Sequence, residues 1–211
     1  MVTEQVVVVS LDKDVLTLVD AMPHLAPLGF LDASLEAYDS FWENLGADEA
    51  WSLLKDEHPE LKAILAVDPP RLRRLLAQHY GLDNLLTLVA ERTFIDRTTQ
   101  IGAGSIVQHG CSIMRDVDIG TACKINMNST LHHDVKVGNY STIAPACTLL
   151  GRVEVGEGCY IGAGAVILPR IRIGDGATVG AGAVIVKPVA DNVTVVGVPG
   201  RELDEFQLNR N

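Results

Sequence analysis

The chain has 211 residues, 47% of them hydrophobic but only 5% aromatic, and a formal charge of −10 at pH 7. That length suits one large domain or two small ones. The acidic balance argues against a broad basic surface for nucleic acid. No apolar run reaches the roughly 18 residues of a membrane span. MVTEQVVVVS places an acid, and no basic segment, ahead of its apolar run, so it does not read as a signal peptide. A soluble cytoplasmic protein with no nucleic-acid or membrane partner is expected.

Residues 1–92 alternate between two patterns. QVVVVS (5–10), LGFLD (28–32), LKAILAV (61–67) and LLTLVA (85–90) are apolar runs of strand length. Between them lie helical patterns at 14–22, 48–58 and 69–81, the last opened by proline and closed by glycine. Strands alternating with helices predict a parallel sheet of βαβ units, a Rossmann-like domain over 1–92. This half carries sixteen Asp and Glu against seven Lys and Arg.

From residue 93 the period becomes six. Large aliphatics stand at Ile95, Ile101, Val107, Ile113, Ile119, Ile125, Leu131 and Val137. They continue at Ile143, Leu149, Val155, Ile161, Ile167, Ile173, Val179 and Ile185. Neither a helix nor a plain strand has that period, and six-residue repeats specify a parallel β-helix. Four residues after each aliphatic comes a small or β-branched residue, and the larger ones recur every 18: Val117, Val135, Val153, Ile171 and Val189. One coil is therefore a triangle of 18 residues, and residues 18 apart stack. The coil is expected over 93–189, with a C-terminal strand and tail over 190–211.

Cys111, Cys123, Cys147 and Cys159 occupy the same small, inward slot. Cys111 and Cys147 lie two coils apart, as do Cys123 and Cys159. At about 4.8 Å per layer, each pair is separated by roughly 9–10 Å, beyond the ~7 Å reach of a disulfide. Four buried free thiols are predicted.

In STLHHDVKVG (129–138), Leu131 points inward, so His132 and His133 fall at a corner, with Asp134 next. A solvated polar corner is the bland reading. Three features favour chemistry. A carboxylate directly after His133 can fix its tautomer and raise its basicity. Gly151, one coil later, can leave room for a substrate and expose an N–H to an oxyanion. Asn126 and Asn128, one side earlier, offer neutral hydrogen bonds. Together these suffice to strip a nucleophile of its proton and hold a tetrahedral oxyanion, with no metal.

The hexapeptide frame, INMNSTLHHDVKVG (125–138), Gly151 and GVPGR (197–201) resemble the left-handed β-helix acyltransferases. The βαβ half narrows the resemblance to the NeuD/PglD-type sugar acyltransferases and extends it over nearly the whole chain. The resemblance implies left-handed coiling, against the usual right-handed rule for parallel crossovers. It also implies homotrimers with active sites between subunits, and transfer of acetyl from acetyl-CoA to a sugar amino or hydroxyl group. By position His133 matches the family's general base, Asp134 its orienting acid, Gly151 its oxyanion donor and Asn126 a residue near the acceptor; His132 falls where the family varies. For the CoA phosphates, residues 160–201 offer Arg170, Arg172, Lys187 and Arg201 against Asp175 and Asp191. The corners Gly162–Ala163 and Gly180–Ala181 leave backbone open for a pantetheine arm, although tight corners alone can also require glycine.

The N-terminal loops depart from the family. Its first βα turn is glycine-rich; here VVVVSLDKDVL (6–16) brings Asp12 and Asp14, with Lys13 as the cation left to meet a phosphate. The turn after the third strand is AVDPP (66–70). Asp32, at the end of LGFLD, is the candidate for a uracil or ribose contact. The leading expectation is a nucleotide-linked amino sugar as acceptor. The alternatives are a non-nucleotide acceptor such as sialic acid or an amino acid, a non-catalytic binding protein, and a zinc carbonic anhydrase, for which His109, His132 and His133 lack the ligand spacing.

Overall fold

A computed structural model of the protein describes residues 3–34 and 36–203. The last eight residues of the expected tail lie outside that range.

The N-terminal unit is a three-stranded parallel sheet in the order β2–β1–β3, formed by β1 (Glu4–Val9), β2 (Leu25–Leu31) and β3 (Lys62–Leu65). Three helices join and follow the strands: α1 (Lys13–Asp20), α2 (Ala50–Glu57) and α3 (Pro70–Tyr80). The uninterrupted valines of β1 reflect cover on both faces. Val6 and Val8 pack with Val15, Leu18 and Val19 of α1. Val7 and Val9 pack with Trp51 of α2 and Leu76, Ala77 and Tyr80 of α3.

The expected fourth strand of this half needs correction. Leu88–Val89 (β4) pairs with Ile106–Val107 and is the first rung of the coil. Toward the α/β sheet this run makes only a bridge from Leu85 to Ala63, with the Leu86 N–H donating to the Ala63 carbonyl at 2.9 Å, and the packing of Leu86, Leu88 and Ala90 against its core. Val89 sits six residues before Ile95, so the six-residue period itself begins one unit earlier than 93.

The rest of the described chain winds into a triangular prism of three sheets. An eight-stranded face runs from Leu88–Val89 up to Arg201–Glu202. A six-stranded face runs from Phe94–Ile95 to Val184–Ile185, and a five-stranded face from Gln100–Ile101 to Arg172–Ile173. Every pairing is parallel except that of Arg201–Glu202. The ladders run 18 residues apart, as in Lys124 with Thr142 and Thr142 with Tyr160. The last rungs of two faces differ: Val179 pairs with Val195 and Ile173 bridges to Val189, each two residues short of a coil. The parallel ladders and the hexapeptide period fit a left-handed β-helix. The interior is one stack of Ile, Val and Leu with small residues at the second inward slot. The four cysteines sit there, buried and free. Burial raises the pKa of all four, to about 11 for Cys123, Cys147 and Cys159. Among the described residues no helix is long and apolar enough to cross a membrane.

The α/β unit packs on the eight-stranded face. Ile106, Lys124 and Thr142, whose side chains point out of the coil, are buried beneath it. The seam is polar. Arg73 of α3 is fully buried; it donates to the Val67 carbonyl at 2.6 Å, the Tyr140 carbonyl at 3.1 Å and the Thr142 hydroxyl. Burial pushes its pKa down to about 10. The Thr142 hydroxyl in turn donates to the Asp68 carbonyl at 2.7 Å.

Candidate active site

His133 and Asp134 lie on the corner between the six- and five-stranded faces, held by Thr130–Leu131 before them and Lys136–Val137 after. Asp134 takes the left-handed backbone conformation (φ 60°) that turns the corner, a conformation short polar side chains tolerate better than most. Backbone bonds lock the layers: Arg152 N–H donates to the His133 carbonyl and Arg170 N–H to the Gly151 carbonyl, each at 3.0 Å.

His133 Nδ1 is 2.7 Å from Asp134 Oδ2. An ionised carboxylate can only accept, so Nδ1 carries the proton and Nε2 presents its lone pair. Asp134 is kept ionised: the hydrogen bond from His133 lowers its pKa, helped by Arg152, whose Nε lies 3.5 Å from the same oxygen. Nε2 faces Gly151. A Cβ at residue 151 would stand 2.6 Å from it, so the imidazole itself occupies the space that a side chain there would take. The sequence suggested that Gly151 makes room for substrate; the structure adds that it makes room for the ring.

The Gly151 N–H donates to no protein group among the described residues. The contrast with the corner between the five- and eight-stranded faces is direct. There Thr121 N–H donates to Asn139 Oδ1 at 2.9 Å, Glu157 N–H to Asp175 Oδ1 at 2.9 Å, and Asp175 N–H to Asp191 Oδ1 at 3.0 Å. Above Gly151 the equivalent place belongs to Pro169, which has no such side chain. His133, Gly151, Arg152, Pro169 and Arg170 line a cavity of about 430 Å³. A histidine base, an open amide and two arginines thus meet in one cavity, a set able to deprotonate a nucleophile and to hold an oxyanion.

Other candidates fall elsewhere. His132 is half-buried on the same corner. Lys187 is exposed and lies two coils above Gly151 on this corner, a rise of about 10 Å. Gly162, Ala163, Gly180 and Ala181 form the corner between the eight- and six-stranded faces. A Cβ at residue 162 would stand 2.6 Å from Ala181 N, and one at residue 180 would stand 2.7 Å from the Val196 side chain. Close stacking is enough to require both glycines. Arg201 is exposed on the last strand. Asn126 is buried, and its Nδ2 donates to the Ile143 carbonyl at 3.0 Å. Asp32 accepts from Leu11 N–H at 3.0 Å and Ser34 N–H at 2.9 Å; Lys13 is exposed at the start of α1. Both belong to the unit that covers the eight-stranded face, and the His133 corner is the edge of the prism opposite that face. One chain does not bring them together.

Lys124, Asp68 and Arg152 were not singled out from the sequence, and Arg170 was singled out only for the CoA phosphates. The arginines follow Gly151 and Pro169 directly, so the corner numbering could have found them. Among the described residues no three His, Cys, Asp or Glu side chains converge as a metal site.

Residues 152–187 match the family model for the bacterial transferase hexapeptide, six repeats. The coil thus carries the hexapeptide repeat of the bacterial transferases, and the resemblance read from the sequence is borne out. No curated protein sequence matches it. Solved structures do, over nearly its whole length. The acetyltransferase domain of PglB from Neisseria gonorrhoeae, in complex with acetyl coenzyme A, is 26% identical, covering 95% of this chain and 100% of that one, with a TM-score of 0.88. PerB from Caulobacter crescentus, in complex with CoA and GDP-perosamine, is 26% identical over 95% of this chain and 97% of that one, TM-score 0.87. WeeI from Acinetobacter baumannii AYE is 28% identical over 94% and 99%, TM-score 0.85.

Proposed function

We infer that the protein moves acetyl from acetyl-CoA to the amino group, or a hydroxyl, of a sugar, with His133 as general base. The observation that carries this reading is His133, held by Asp134 and presenting Nε2 beside the open amide of Gly151. The acceptor nitrogen attacks the thioester carbonyl, and Nε2 takes the proton that the nitrogen loses. The carbonyl electrons move to oxygen, where the Gly151 N–H stabilises them. Collapse breaks the C–S bond, and the imidazolium returns its proton to the CoA sulfur. A sugar amine must be neutral to attack, so Nε2 acts on the addition intermediate rather than on an ammonium. The base contributes about 10²–10⁴-fold and an oxyanion donor about 10²–10³-fold.

The acetyl-CoA and CoA complexes of the Neisseria and Caulobacter relatives support the donor. The exposed Lys187, two layers above Gly151 on the same edge, is suited to a CoA phosphate, and the corners at 162–163 and 180–181 and Arg201 to the rest of the cofactor. The GDP-perosamine of the Caulobacter protein supports a sugar acceptor. On this reading the α/β unit before Leu88 is a Rossmann-like acceptor module carrying Asp32 and Lys13, the coil from Leu88–Val89 to residue 189 is the transferase with Asn126 near the acceptor, and residues 190–203 close it. The base lies on the edge opposite its own acceptor module, which supports a site completed by a neighbouring copy, as in the homotrimer that the resemblance implies. A CoA-dependent reaction supports the expected cytoplasmic location.

Assaying CoA release with a thiol reagent, across amino sugars with and without a nucleotide, tests the reading. Turnover that requires both acetyl-CoA and a sugar is expected; no release above the hydrolysis blank with any sugar would sink it.

A further inference from the structure

In an open parallel sheet, ligands bind in the crevice outside the carboxyl ends of the strands, where the strand order reverses. In the order β2–β1–β3 that place lies between the ends of β1 and β3. Here a side chain from the coil already fills it. Lys124, only 1% exposed, reaches from the eight-stranded face to Asp12 Oδ2 at 2.6 Å, Asp68 Oδ1 at 2.9 Å and the Ala66 carbonyl at 3.0 Å. An ammonium has three protons to donate, and this one has three acceptors.

Apart from the Lys13 N–H, the amides of this loop are spoken for as well. Asp12 Oδ1 accepts from Asp14 N–H at 3.0 Å and Val15 N–H at 3.1 Å, the helix N-terminal donors that a phosphate would use. Ser10 N–H donates to the Leu31 carbonyl, Leu11 N–H to Asp32 Oδ2 and Asp12 N–H to the Ser10 carbonyl. Across the crevice Pro69 and Pro70 have no N–H, and the Val67 and Asp68 carbonyls accept from Arg73 and Thr142. Apart from the first-turn amides of Lys13, Arg71 and Leu72, the strand ends carry carboxylates: Asp12 and Asp68 pair with Lys124, Asp32 accepts from the Leu11 amide, and Asp14 is exposed.

We propose that Lys124, Asp12 and Asp68 are specificity-determining residues that seal this crevice against phosphate, so that the acceptor is an amino sugar carrying no nucleotide. The proposal rests on the reading of the chain as a sugar acetyltransferase and sets it apart from the Caulobacter relative with its GDP-linked sugar. To seat there, a diphosphate must pull a buried cation from its carboxylates and lie against them, a cost of roughly 10²–10³-fold in affinity.

The test is calorimetric titration of UDP, dTDP and GDP into the intact protein saturated with CoA, so that the donor site is filled. No binding up to millimolar concentration is expected. A nucleotide-linked amino sugar should show a lower kcat/KM than the same sugar unlinked. Asp12→Gly with Lys124→Ile frees two helix amides and empties the crevice; it should gain diphosphate affinity by at least about tenfold. Low-micromolar binding by the native protein that Lys13→Ala weakens would overturn the proposal, and so would a folded double variant that gains nothing. If the variant does not fold, the native titration decides. Failure of every sugar as acceptor would defeat the sugar-acetyltransferase reading alone, and the titration would still judge the crevice.

Discussion

Two corners of the same prism are made from the same backbone and end differently. Where the five-stranded face meets the eight-stranded one, Asn139, Asp175 and Asp191 reach down a layer and bond the amides at Thr121, Glu157 and Asp175. Where the six-stranded face meets the five-stranded one, Gly151 has no such cover, and His133 lies against it. The repeat supplies an unpaired amide at every corner. Stability is served by closing it and chemistry by leaving it open, and one side chain per layer makes the choice.

The largest effect should come from the interior that both corners share. Ile161→Asp places a lone charge inside a stack one side chain wide, at a cost of several kcal/mol. Loss of the cooperative unfolding transition by circular dichroism is expected; a folded Ile161→Asp protein would contradict the inward assignment.

His133→Ala should lower kcat by at least about 10²-fold while leaving the melting temperature and gel-filtration volume unchanged, since the ring is more than half exposed. His132→Ala should do much less, and the reverse order would shift the assignment by one residue. Gly151→Ala comes next. Its Cβ would fall 2.6 Å from Nε2, so the ring must turn away. Turnover should fall by roughly tenfold or more with folding kept; unchanged turnover would mean that the ring position does not matter.

The closed corner should respond in the opposite sense. Asp175→Ala leaves the Glu157 amide without its partner and should cost about 1 kcal/mol of stability, read in urea, with kcat untouched. A drop in kcat there would erase the distinction between the corners. The smallest effect is on thiol chemistry. With burial holding three thiols near pKa 11 and raising Cys111 too, no cysteine of the native protein should react with an alkylating reagent at pH 8, and four should after unfolding.

Much of the coil was legible because the period maps residue number onto position. Once Leu131 and Leu149 are known to point inward, His133 and Gly151 must fall on one edge, one layer apart. The same arithmetic placed the cysteines in the interior. The N-terminal sheet was legible too, apart from LLTLVA, whose apolar run does not say which sheet its amides will join; pairing to Ile106–Val107 decided that.

The sequence by itself therefore determined the prism, its edges and the residues sharing each edge, because those follow from local backbone geometry repeated without a slip. Only the tertiary structure decided what covers each face. Lys124 occupies an outward slot and reads as surface, yet it is buried against Asp12, 112 residues away. Asp12 reads as a charge that would repel phosphate; the structure makes it a helix cap and half of an ion pair. Arg73 finds Thr142 across 69 residues. Such pairings leave no mark on the local pattern, because the gain in satisfying a buried charge appears only when two distant segments exclude water together.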